Sequence, residues 1–141
     1  MMPAMPRPTN ALIVEDEVHV RAFVRLLLKE VGIESVWEAG DGAQALALAR
    51  QHRPELVLLD INLPMMNGLE VLKHLSAELP EIPVIMMTSQ STMKTVLESV
   101  KLGAVAYILK HSPKAEALKM LSDAVDGLAD DAVEGAADED A

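Results

Sequence analysis

The chain has no cysteine, three aromatic residues in 141 and no long apolar run, and each absence removes a class of protein. Without cysteine there is no disulfide framework, no thiolate zinc site and no cysteine nucleophile, and a reducing, cytosolic setting is compatible. Phe23, Trp37 and Tyr107 are the only aromatics, so the core must be built from Val, Leu, Ile, Met and Ala. That composition suits helices packed on a buried sheet. No window approaches the ~18 uninterrupted apolar residues of a membrane span, and the first ten residues carry three prolines and no apolar stretch, unlike an export signal. No membrane insertion is expected.

A basic stripe is also missing. The net charge of −10 is concentrated at one end: from Asp126 onward seven acids meet no base, leaving 15 acids against 12 bases in the rest. Sequence-independent binding to a phosphate backbone has no electrostatic footprint here, so no direct nucleic-acid partner is expected. The length is that of one domain with a substantial core.

What is present is an alternation repeated five times. The apolar run Ala11 to Val14 is followed by Val20, Phe23, Val24, Leu27, Leu28 and Val31 at helical spacing, ending at Gly32. Ser35 to Ala39 reads as a second strand, and Asp41 can cap a helix of Ala43 to Gln51 that Pro54 stops. Leu56 to Leu59 is a third strand closed by Asp60, with a helix from near Gly68 placing Leu69, Leu72, Leu75 and Leu79 inward. Val84 to Met87 is a fourth strand, and Met93, Val96, Leu97 and Val100 give a fourth helix ended by Gly103. Ala106 to Leu109 is the fifth strand. Ser112 as N-cap and Pro113 at the first helical position open a last helix whose stripe is Leu118, Leu121, Val125 and Leu128. The division expected is a disordered N-terminal segment over 1–9, one domain over 10–128 and a disordered acidic tail over 129–141.

Strands that are unbroken apolar runs, each followed by a helix, imply a parallel sheet covered on both faces. Five units are too few for an eight-unit barrel, so an open, doubly wound α/β sheet is expected. In that architecture ligands sit beyond the carboxyl ends of the strands. Those ends carry Glu15 and Asp16, Asp60, Thr88 and Ser89, and Lys110. Carboxylates held close raise each other's pKa, and a hard divalent cation with oxygen ligands, magnesium, relieves that conflict. Glu15 or Asp16 could instead cap the first helix, and Thr88 or Lys110 taken alone could be an ordinary strand end. Asp60 is followed by Ile-Asn-Leu-Pro rather than a helix, so capping does not explain it.

The stretches Leu12 to Glu17 with Arg21 downstream, Leu56 to Gly68, Val84 to Ser89 and Gly103 to Lys110, in this order and spacing, resemble the receiver domains of bacterial two-component response regulators over about Asn10 to Leu128. The resemblance implies a flavodoxin-like fold with strand order 2-1-3-4-5, and a stand-alone signalling receiver in the cytoplasm that catalyses only its own phosphoryl transfer and autodephosphorylation. It implies that Asp60 accepts a phosphoryl group from a histidine kinase or phosphotransfer protein. Magnesium would be held by Asp16, Asp60 and the carbonyl of Asn62, with Glu15 ligating directly or through water. Lys110 and the Thr88 hydroxyl would meet the phosphoryl oxygens, Ser89 would add a backbone N–H, and Pro64 and Gly68 would shape the loop. Thr88 and Tyr107 would form the switch, and a downstream protein would bind the face of the fourth helix, fifth strand and fifth helix, where Lys101 and Lys114 also lie. The oligomeric state is left open between a monomer and a phosphorylation-dependent homodimer.

Two positions depart from the commonest pattern of that family. Glu15 is one methylene longer than the usual aspartate, and His111 follows Lys110 where many receivers have a cis proline, so a trans bond is expected there. A phosphohydrolase of the haloacid dehalogenase type is the enzymatic rival, but it needs an acid two residues after the nucleophile, where this chain has Asn62. A receiver cut from a longer regulator is the third reading. His19, His52, His74 and His111 have no pairwise spacing suited to a metal, and neither a Gly-x-Gly-x-x-Gly nor a Walker loop is present.

Overall fold

In the computed structural model the five repeats form β1 (Asn10–Val14), α1 (Val18–Glu30), β2 (Ser35–Ala39), α2 (Gly42–His52), β3 (Val57–Asp60), α3 (Gly68–Glu78), β4 (Val84–Thr88), α4 (Met93–Lys101), β5 (Ala106–Leu109) and α5 (Lys114–Asp140). The structure describes residues 7–89 and 93–140, with side chains over 7–89 and 94–128. All strand pairs are parallel and the order is β2-β1-β3-β4-β5, the flavodoxin-like arrangement. The chain steps from β1 out to β2 and returns to β3 on the other side of β1, so strand order reverses there. The crevice above β1 and β3 is where such a sheet receives a ligand.

Alternation along each strand divides the interior in two. Ala11, Ile13, Leu58, Ile85, Met87 and Ile108 pack with Val24, Leu28, Leu121 and Val125 of α1 and α5 on one face. Leu12, Val14, Val57, Leu59, Val84 and Met86 pack with Ala45, Leu46, Leu72 and Leu75 of α2 and α3 on the other. Both faces are covered, which is why the strands lack a polar side.

The local signals act as expected at several ends. Asp41 caps α2 by accepting from the Gln44 N–H at 2.8 Å, and Arg53 closes that helix at φ 46° before Pro54. Asn67 caps α3, accepting from Leu69 and Glu70. Gly32 and Gly103 take positive φ after α1 and α4, the backbone a β-carbon would strain. α5 begins one residue later than expected, at Lys114, and the Ala117 N–H donates to the Pro113 carbonyl in its first turn. No cis peptide bond occurs among the described residues, in agreement with a trans Lys110–His111 bond.

Three expectations need correction. Residues 7–9 are not loose: Pro8 is buried, Arg7 pairs with Asp126 of α5 and donates to the Val31 carbonyl, and Thr9 gives Glu55 two hydrogen bonds that hold its carboxyl below the ordinary range. Residues 1–6 lie outside the described residues. The acidic stretch expected as a disordered tail continues α5 to Asp140, its alanines favouring helix against the two glycines, Gly127 and Gly135; Ala141 lies outside the described residues. On α4 part of the apolar stripe faces outward: Val96 is half-buried, and the Met93 side chain lies outside the described residues. Leu97 and Val100 are 50 % and 60 % exposed, while Ser99 is buried with its hydroxyl donating to the Thr95 carbonyl. Periodicity identifies an apolar face; it does not say whether another element covers it.

Among the described side chains, Leu121, Val125, Leu128 and Asp126 dock α5 on the body. A chain ending after Leu128 is expected to keep the urea midpoint of the full chain within error. Leu121→Ala, which empties a fully buried site, is expected to cost about 2–5 kcal/mol in the same assay.

Candidate functional site

At the carboxyl edge of the sheet, β1 runs into Glu15 and Asp16, β3 ends in Asp60 and β5 runs into Lys110. Glu15 lies two residues beyond Ile13, Asp60 two beyond Leu58 and Lys110 two beyond Ile108, all three on the α1/α5 face. The pleat therefore turns the three side chains to one side. Lys110 Nζ sits 3.1 Å from Asp60 Oδ2 and 2.8 Å from Glu15 Oε2, with all three side chains almost fully buried. The other Asp60 oxygen accepts from the Asn62 N–H at 3.2 Å. Asp16 stands exposed at the rim, and Glu15, Asp16 and Asp60 each offer an oxygen within 4.8 Å of the others.

The ammonium does not satisfy both carboxylates equally. It donates a hydrogen bond to Asp60, whereas Glu15 Oε2, close as it is, has no hydrogen-bond partner and is the one such buried side-chain atom among the described residues. Burial pushes the Glu15 carboxyl up to about 7, helped by the charge of Asp60 and opposed by Lys110. Burial alone would lower Lys110, but its hydrogen bond to Asp60 and its ion pair with Glu15 outweigh that and hold it above the ordinary lysine value. One cation among three acids leaves excess negative charge, and a buried carboxylate oxygen that is ion-paired to Lys110 but accepts no hydrogen bond is one that a hard cation with oxygen ligands could take up.

Neither Glu15 nor Asp16 caps α1 in the usual way. The N-cap position is Glu17 without a side-chain bond, and Glu15 Oε1 instead accepts from the Glu17 N–H at 3.2 Å. The capping alternative for the acidic pair therefore loses its support. The loop after Asp60 is drawn in by Gly68, where an added β-carbon would fall 2.1 Å from the Asp60 carbonyl; its N–H donates to Ile61. Met65 at the tip takes φ 67° and is 94 % exposed.

The remaining expected residues divide. Thr88 is buried at the end of β4 and its carbonyl accepts from the Lys110 N–H at 2.8 Å, so it adjoins the cluster through backbone. Ser89 is exposed just beyond. Tyr107 stands apart, 37 % exposed on β5, lining a 240 Å³ cavity with Val96 and Val100 of α4. His111 and Lys110 line a 230 Å³ cavity against His19 and Phe23 of α1. A 330 Å³ cavity at the opposite edge, beside Pro8 and Pro83, is far from these acids; its Arg53 and Glu81 pair with each other. Arg21, to which the sequence alone assigns no role, donates to the Glu15 carbonyl and to Glu38 of β2. An acid on the edge strand and two arginines one helical turn apart, Arg21 and Arg25, were the available signal.

The receiver-domain profile of response regulators matches residues 11–122. The chain belongs to the response regulator receiver family. It is 34 % identical over 114 residues to Protein CcdB of Bacillus subtilis, covering 81 % of this chain and 95 % of that one. It is 36 % identical over 104 residues to the probable transcriptional regulatory protein TcrX of Mycobacterium tuberculosis, covering 74 % of this chain but only 44 % of that one. Of solved structures, a CheY-like receiver from Methanospirillum hungatei superposes with a TM-score of 0.75 at 27 % identity, covering 86 % of this chain and 96 % of the other. This receiver is thus a phosphoacceptor module of two-component signalling, with an acidic cluster that could bind a metal. No helix among the described residues is long and apolar enough to cross a membrane.

A carboxyl whose pKa is raised by folding binds its proton more tightly folded than unfolded. The stability from Glu15 is therefore complete below its ordinary 4.5 and lost as pH rises through about 7. In chelator, the urea midpoint of this receiver is expected to fall between about pH 5 and 7, and Glu15→Gln is expected to flatten that fall.

Proposed function

We propose that this receiver accepts its phosphoryl group on Asp60, from the phosphohistidine of a histidine kinase or phosphotransfer protein in the cytoplasm, and that the modified form changes partner binding. The observation that carries the reading is the placement of Asp60: a buried carboxylate at the end of a central strand, held by the Lys110 ammonium and the Asn62 N–H, beside two further acids. Residues 10–128 are the receiver unit in this reading.

An Asp60 oxygen attacks phosphorus as the bond from phosphorus to the donor imidazole nitrogen breaks, giving an acyl phosphate and free histidine. Lys110 then has its charge available for a phosphoryl oxygen, and the Thr88 hydroxyl and the Ser89 N–H are the neutral donors at the neighbouring strand end. The donor set fits magnesium: all oxygen, one of them an orphan, with an exposed acid leaving room for water. Asp16, Asp60 and the Asn62 carbonyl would hold the ion, with Glu15 reaching it directly or through water. The ion would supply the positive charge that lets carboxylate and phosphoryl oxygens meet. The reaction would be confined to the receiver's own phosphorylation and autodephosphorylation.

Acetyl phosphate with magnesium is expected to add one phosphoryl mass, lost in Asp60→Asn and in chelator. Equal modification of Asp60→Asn would overturn the assignment.

The output surface in this reading is the face of α4, β5 and α5. Leu97 and Val100 already stand outward on α4, and Tyr107 borders the cavity beneath them, so a turn of the Tyr107 ring would reshape that face. Thr88, drawn toward the modified Asp60, is the trigger, and the unmodified protein samples both ring positions. With beryllofluoride, amide-shift and hydrogen-exchange changes are expected to concentrate between Thr88 and about Lys119 and to shrink in Thr88→Ala. A response confined to the loops around Asp60 would remove the switch.

A further inference from the structure

We propose that Arg21 is a positioning residue for the acidic cluster, holding the backbone carbonyl of Glu15 and thereby setting where the Glu15 and Asp16 carboxylates point. The inference rests on the reading that this cluster takes a divalent cation. The Glu15–Asp16 peptide lies just past the end of β1, where the ladder no longer holds the chain. One pairing bond continues, from the Glu15 N–H to the Ala39 carbonyl at 3.0 Å. Beyond it, the Glu15 carbonyl accepts from Arg21 Nη1 at 2.7 Å. That carbonyl shares a peptide plane with the Asp16 N–H, so tilting the plane swings the side chains on either side of it.

Arg21 is itself fixed. Its Nε donates to Glu38 Oε1 of β2 at 3.1 Å, and the second Glu38 oxygen accepts from Arg25 at 2.5 Å. The Arg21 side chain is 18 % exposed and that of Arg25 49 %. The guanidinium thus spans the edge strand and the loop with two nitrogens aimed in different directions. A lysine could reach one of these partners but lacks the fork to hold both.

Charge and geometry predict opposite results, which makes the role measurable. Removing a cation near a cation site strengthens binding by simple electrostatics. Weaker binding therefore reports lost geometry. Magnesium alone would be titrated by amide chemical shifts into the full chain and its variants, with Asp16→Asn as the variant that removes a proposed ligand. Arg21→Gln is expected to weaken magnesium binding about tenfold, with partial recovery in Arg21→Lys. Arg25→Gln, which loses an ion pair on the same helix face, is expected to bind within about twofold of the parent or tighter. In chelator, Arg21→Gln is also expected to speed amide exchange at Glu15 and Glu17. Affinity of Arg21→Gln equal to or above that of the parent, or an equal weakening in Arg25→Gln, would overturn the proposal. If the parent shows no saturable magnesium shift, the cation reading fails by itself. Unchanged exchange at Glu15 and Glu17 in Arg21→Gln would then overturn the positioning role as well.

Discussion

The ammonium of Lys110, buried between Asp60 and Glu15, is the contact on which the working end of this receiver depends. It joins the ends of β1, β3 and β5, three strands far apart in sequence, at a point where each would otherwise bury an uncompensated charge. Removing one partner from such a cluster exposes the full desolvation cost of the others. The compensation is deliberately incomplete in physical terms: one positive charge faces three acids, and Glu15 retains an oxygen without a hydrogen bond. A well-satisfied network would be a structural brace. In the proposed reading, this one takes further positive charge and, at Asp60, gives up its lysine to an incoming anion.

The scaffold holds that imbalance by confining it to one edge. Over β1, β3 and β4 both faces of the sheet are apolar and covered, so there the buried polar groups appear where strands end, while the edge strand β2 carries Glu38. Reversal of strand order between β1 and β3 opens the crevice, and the close approach of Gly68 to the Asp60 backbone keeps the following loop from filling it. Arg21 and Glu38 brace the opposite wall from the edge strand. The acids thus sit between two fixed loops, one on each side of the crevice.

The α4 side is built with less apolar anchorage. α4 directs Ser99 inward and leaves Leu97 and Val100 in solvent, whereas α1 and α5 bury continuous aliphatic stripes. An element with few buried apolar contacts is the one a small change at the site can move or a partner can capture. The more deeply anchored part of the domain and the α4 side meet at β4 and β5, where Thr88 and Tyr107 lie.

Much of this was legible in the residues. Unbroken apolar strands alternating with amphipathic helices dictate a covered parallel sheet, because no other packing buries both sides of every strand; Asp60 is conspicuous because a carboxylate closes an apolar strand with no helix to cap. Asp41 and the glycines after α1 and α4 marked element ends through local backbone chemistry, which needs no distant partner. Other features were decided only by the tertiary structure. Periodicity showed that α4 has an apolar face but not that the face is uncovered, and composition suggested an irregular acidic end where α5 continues. Nothing in the sequence pairs Arg7, Thr9 and Arg21 with Asp126, Glu55 and the Glu15 carbonyl, which only folding brings within reach. That Glu15, Asp60 and Lys110 turn to one side, and that Glu15 is left with an orphaned oxygen, follows from strand pairing and pleat. The pairing joins segments 45 and 50 residues apart, and a linear sequence carries no record of those distances.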